Sequence, residues 1–149
     1  MRRRQSICIV LAGLVSLLLV SCDHPLNDDL SEEVIQDRLL GAWLREFEEK
    51  GVAVRRVLVL ETDGKFSEKV RIVEAGGAVT AQVHTGLWFY DGTNLKRKYT
   101  SMNGKPPAAP TISFVTFELK FVSKNEFIGI DRVRRREVRY QRVPLETAP

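Results

Sequence analysis

A chain of 149 residues with 23 Lys+Arg against 19 Asp+Glu carries a formal charge of +4, but three of the arginines, Arg2, Arg3 and Arg4, open the chain and no acid lies among residues 1–21. Residues 22–149 therefore hold 20 basic against 19 acidic groups, which removes the basic excess that a nucleic-acid surface requires. Two cysteines, Cys8 and Cys22, exclude a disulfide-dense scaffold, and the length suits one domain of ordinary size rather than two.

The three arginines are followed by an apolar run over residues 7–20, then by small Ser21 and by Cys22. That is the order of a secretory signal. Fourteen helical residues reach about 21 Å, well short of a hydrocarbon core of about 30 Å, so a permanent span is the poorer reading. An ordinary signal with a chance cysteine and an uncleaved anchor are the alternatives. The run Leu19-Val20-Ser21-Cys22 resembles the lipobox of bacterial lipoproteins. The resemblance implies cleavage between Ser21 and Cys22 and acylation of Cys22 with a diacylglyceryl group and an N-acyl chain such as palmitate. It also implies a bacterial envelope protein held on a membrane and facing the periplasm. Each buried methylene contributes about 0.8 kcal/mol, so such a tether would be permanent. Asp23 stands where enterobacteria-like sorting retains a lipoprotein in the inner membrane, which leaves inner against outer membrane open. With Cys8 removed and Cys22 acylated, no thiol would remain for a disulfide or a metal.

Residues 22–29, polar and broken by Pro25, read as a linker of at most about 26 Å. Val34, Ile35 and Leu39 then fall at helical spacing within residues 30–40, with Asp29 or Ser31 as N-cap, Glu32 and Glu33 in the first turn and Gly41 as the stop. After Gly41 the period changes to two. Residues 52–61 are rich in β-branched side chains, Asp63-Gly64 makes a turn, and Phe66, Val70 and Ile72 alternate with Ser67, Lys69 and Arg71. Gly76-Gly77 marks a second turn. Val79, Ala81, Val83 and Leu87 lead to Trp88-Phe89-Tyr90, Asp91-Gly92 turns the chain again, and the pattern continues through Leu95 and Tyr99. Three prolines keep residues 103–110 out of a strand and suggest a cap over one end. Val115, Phe117, Leu119 and Phe121 share a face, Lys124-Asn125 turns into Phe127, Ile128 and Ile130, and a last strand covers residues 137–143.

Seven or eight short antiparallel strands after one short helix give a mainly β fold, a single up-and-down barrel over residues 30–143 with a tail over 144–149. Closure is favoured because it removes exposed edges, and a sandwich is the main rival. The succession Gly41-Ala42-Trp43, Thr62-Asp63-Gly64-Lys65-Phe66, Gly86-Leu87-Trp88 and Tyr140-Gln141-Arg142-Val143 resembles the bacterial lipocalin-like domains. The resemblance implies that a terminal arginine packs across Trp43 to close the barrel: Arg142, with Arg139 the second candidate. It also implies a small apolar or lipid-like ligand in the lumen, for which Glu68, Trp88, Phe117 and Phe121 are the candidate lining residues.

The chemistry-bearing residues point to binding more than to catalysis. His24 falls in the linker, leaving His84, between Gln82 and Gly86 on a polar strand face, as a solvated or hydrogen-bonded imidazole. No metal-ligand spacing, nucleophile elbow or phosphate-cradling glycine loop occurs, so no enzyme activity, metal or cofactor is expected. Glu68 interrupts the apolar face of its strand and, pointing inward, must pair with an arginine such as Arg56, bind, or protonate. The cluster Arg132, Arg134, Arg135, Arg136, Arg139 and Arg142 would meet anionic lipid headgroups, or else pair with acids of neighbouring strands. Nucleic acid is not an expected partner. Two functions stay open: ligand binding in the lumen, or a non-enzymatic accessory or inhibitor role exerted through the surface on an envelope partner.

Overall fold

The computed structural model describes residues 30–108 and 113–149, so the signal, the lipobox with Ser21 and Cys22, and the linker lie outside the described residues. Ser31 caps α1 (Glu32–Leu39): its side chain accepts from the Val34 amide at 3.4 Å, and Glu32 and Glu33 sit at the positive end of the helix dipole. Eight strands follow, β1 (Gly41–Glu49), β2 (Val52–Leu60), β3 (Lys65–Val73), β4 (Val79–Tyr90), β5 (Asn94–Met102), β6 (Phe114–Ser123), β7 (Glu126–Asp131) and β8 (Arg136–Val143). Each pairs antiparallel with the next and β8 returns to β1, which makes a closed up-and-down barrel consistent with a lipocalin-like fold. The sandwich is excluded by that closure.

The barrel is unlike at its two ends. Near α1 it is packed solid: the edge of Trp43 meets Phe127 at 4.7 Å, Phe127 stacks on Tyr140 at 4.9 Å, and Ile35 and Leu39 of the helix plug the bottom. Trp88 and Phe121 belong to this packed half, and neither lines the lumen's cavity. Gly41 sits at the helix-to-strand junction with φ +106°, and a Cβ there would lie 3.1 Å from Arg142 Nη1. Only glycine gives both the left-handed backbone and the room. At Gly86, where the β4–β5 register shifts, a Cβ would lie 2.0 Å from the Lys98 carbonyl oxygen. The strands could not approach there with any side chain present.

β4 is the strand whose faces differ from expectation. Val79, Val83, Leu87 and Phe89 are all about half exposed, while His84, Trp88 and Tyr90 are buried. The apolar residues of its first half face outward, and the polar Gln82 and His84 face the lumen. Phe89 follows the same parity and lies outside. Apolarity alone misleads on a strand whose inner face lines a polar cavity.

The seam between β1 and β8 carries only the pairs Ala42↔Val143, Trp43↔Arg142 and Leu44↔Gln141. Arg142 reinforces it. Its guanidinium carbon lies 4.3 Å from the Trp43 ring centroid, Nη1 donates to the Leu40 carbonyl at 2.8 Å and Nη2 donates to the Arg38 carbonyl. The indole Nε1 donates to the Leu39 carbonyl at 2.7 Å. One cation thus covers an indole, satisfies two helix-end carbonyls and opposes the negative end of the helix dipole. Arg139 points elsewhere, to an exposed ion pair with Glu126. Changing Arg142 to Ala should lower stability by about 2 kcal/mol, a fall of about 8 °C in the unfolding midpoint. Arg139→Ala should cost less than about 0.5 kcal/mol, and thermal denaturation of the two variants side by side checks the assignment.

Candidate functional site

Away from α1 the barrel is open. A cavity of ≈ 290 Å³ lies in this half, and its wall takes side chains from all eight strands. Alternation places them: Arg45 and Phe47 follow Trp43 on the inner face of β1, Glu68 follows Phe66 on β3, and Arg97 and Tyr99 follow Leu95 on β5. Glu68 and Phe117 are the lining residues that the sequence singled out and the cavity contains.

Glu68 is the hub. Its side chain is 1% exposed, and three donors from β2 and β5 converge on it: Arg97 Nη1 on Oε1 at 3.1 Å, Arg56 Nη1 on Oε2 at 3.3 Å, and the Tyr99 hydroxyl on Oε2 at 3.1 Å. Burial pushes the carboxyl up, but Arg97 and Arg56 together outweigh it and hold Glu68 below the usual carboxylate range. It is therefore ionised at neutral pH with both oxygens engaged. Such a group positions its donors and has little capacity to act as a base. His84, opposite Glu68 in the β3–β4 register, is 5% exposed; burial lowers its pKa and keeps it neutral at pH 7. Its Nε2 lies 3.2 Å from Gln82 Oε1, and its ring meets Tyr99 edge-on at 5.9 Å.

The wall carries five arginines, Arg45, Arg56, Arg97, Arg134 and Arg136, against two acids, Glu68 and Asp131. Asp131 lies at the β7–β8 turn, where it accepts from Arg134 Nη1 at 2.8 Å and from the Val133 and Arg134 amides at 3.1 and 3.0 Å, with Arg136 Nε at 3.8 Å. Five of the six arginines in the basic cluster are thereby divided among three tasks. Arg134 and Arg136 pair at the mouth, Arg132 and Arg139 pair outside with Glu118 and Glu126, and Arg142 seals the far end. Among the described residues, no group of three or more His, Cys, Asp or Glu side chains could hold a metal ion.

Arg97, Tyr99, Arg45 and Tyr140 were not foreseen from the sequence. The signal was present: each stands two residues, or four in the case of Tyr99, from an apolar inward position, Leu95, Trp43 or Val138, and the strand period carries it to the same face. No protein-family model matches the chain, and no curated protein is significantly similar to it.

Because the folded-state pKa of Glu68 is depressed, its ion centre contributes stability above the unfolded value near 4.5 and loses it as pH falls through the lower folded value. Glu68→Gln should destabilise the barrel by about 3 kcal/mol at pH 7, since Arg97 would be left buried without a counter-charge. The variant should also lose less stability than the parent on acidification below pH 4.5, which urea denaturation at pH 7 and pH 3 tests.

Proposed function

We propose that this protein is a non-enzymatic binding protein of the bacterial envelope, tethered through acylated Cys22, that takes a small ligand into the open half of its barrel. The observation behind this reading is the ≈ 290 Å³ cavity lined by every strand while the opposite half is filled. That volume is at the low end for ligand sites, so the ligand is small, with part of it against Phe47, Val115 and Phe117. A buried charged network held by hydrogen bonds is costly to build and adds little net stability, which fits retention for binding better than for folding. Against catalysis stands the state of Glu68, held ionised with both oxygens engaged by donors.

The surface-acting alternative has one observation in its favour. Val79, Val83, Leu87, Phe89 and Phe114 are exposed on the outer face of β4 to β6, beside Lys96 and Lys98, and contiguous exposed apolar surface commonly marks an interaction site.

Native mass spectrometry of the full chain carrying Cys22→Ser, purified from its own host, should show a co-purifying small molecule that a cavity-filling Val115→Trp change removes. A clean apo mass with no uptake from a fatty-acid and lipid screen would overturn the lumen reading in favour of the surface. For the tether, mass spectrometry of envelope-extracted protein should show a lipid-modified amino terminus at Cys22. An unmodified Cys22 would refute the lipoprotein assignment.

A further inference from the structure

The cavity's charge is unbalanced in one particular place. Arg45 and Arg56 stand directly opposite each other on β1 and β2 and both line the lumen, an arrangement of like charges that is unfavourable unless something lies between them. Arg56 is turned to Glu68, and among the described residues no acid forms an ion pair with Arg45. Its neighbours are the Phe47 ring at 4.4 Å, Tyr140, and two further cations, Arg56 and Arg136. Burial works against its charge, the Tyr140 hydroxyl beside it offsets part of that, and the two cations add to the penalty, so the balance still disfavours the charged form. Unmet donors lie close by. The Nε–H groups of Arg56 and of Arg97, which is 3% exposed, and the hydroxyl of Tyr140 are buried with no hydrogen-bond partner. An unsatisfied buried donor is costly, and three such atoms around one cavity call for an acceptor supplied from outside.

We propose that the open end of the barrel is a receptor for a small oxyanion-bearing molecule, a carboxylate or phosphate monoester, whose charged group binds Arg45 with Arg56 and Arg97. The inference rests on the lumen-binding function proposed above and names the class of its ligand. Guanidinium groups suit such an oxyanion because their planar N–H forks match its geometry. Glu68 is a positioning residue: it holds Arg56 and Arg97 in place and neutralises part of their charge, so that the anion completes a network already built. Phe47, Val115 and Phe117 offer surface for a short apolar portion, and Arg134 and Arg136 at the mouth would draw the anion inward.

The test uses the full chain carrying Cys22→Ser and isothermal calorimetry with octanoate, octyl phosphate, and neutral octanamide of the same length. One of the two anions should bind more than about tenfold tighter than octanamide, with affinity falling as salt is raised. The anion that wins distinguishes carboxylate from phosphate. Arg45→Met, which keeps an unbranched stem, should lose more than about tenfold in anion affinity relative to octanamide without lowering the unfolding midpoint. Arg132→Met, on the outer surface, should leave both unchanged. Equal binding of octanamide and the anions, or an unaffected Arg45→Met, would overturn the oxyanion assignment and leave lumen binding standing. No binding of any of the three by a folded protein would overturn both.

Discussion

Everything in this barrel depends on the guanidinium of Arg142 being able to finish three unfinished structures at once. The seam between the first and last strands has few register pairs, the helix ends with unsatisfied carbonyls, and Trp43 presents an uncovered ring face. A lysine could supply the charge, but its ammonium has no planar fork to stack on the indole while donating to two carbonyls. Sealing one end this firmly decides where the remaining volume goes. The large rings, Trp43, Phe121 and Phe127, pack together at the sealed end, so the lumen is left empty only at the other.

The two halves are then governed by different physics. The sealed half is held by apolar burial and aromatic contacts, which need no partner to be complete. The open half is lined by charge, and charge taken out of water must find a counter-charge or remain accessible. Glu68 meets that requirement for Arg56 and Arg97, and Asp131 meets it for Arg134 and Arg136. Two carboxylates cannot balance five guanidinium groups. The surplus falls on Arg45, and the unmatched N–H donors of Arg56 and Arg97 line the same cavity.

Strand order, turns and closure were readable because each rests on a local signal: Asp63-Gly64, Gly76-Gly77 and Asp91-Gly92 set three hairpins, and the period of two along β3 and β6 matches an apolar inner face. Glu68 was legible for the same reason, as the one polar residue breaking such a face. His84 was assigned to a polar face that turns out to be the inner one, and Val83, Leu87 and Phe89 mark an apolar outer face. The rule that apolar residues point inward assumes an apolar interior. Where the lumen is charged, the rule inverts on the strand that borders it, and only the parity carried over from Trp88 and Tyr90 sets the phase of β4 correctly.

Arg97 shows why the site could not be read from side-chain chemistry alone. In sequence it lies among Lys96 and Lys98, in what resembles a solvated basic run. In the barrel its two neighbours face water while it is almost wholly enclosed, 3.1 Å from Glu68 and flanked by the rings of Phe66, Tyr99 and Phe117 at 5.6 to 5.7 Å. Its partner is 29 residues away and is brought to it across β4, so no local pattern announces the pair. A buried guanidinium surrounded by ring faces and a single carboxylate is fixed in one orientation, because each of those contacts restricts it. For the ligand binding proposed above, that fixation would have a consequence. A donor held rigidly before the ligand arrives loses little conformational freedom on binding, so even a small molecule in a small cavity can be held with useful affinity.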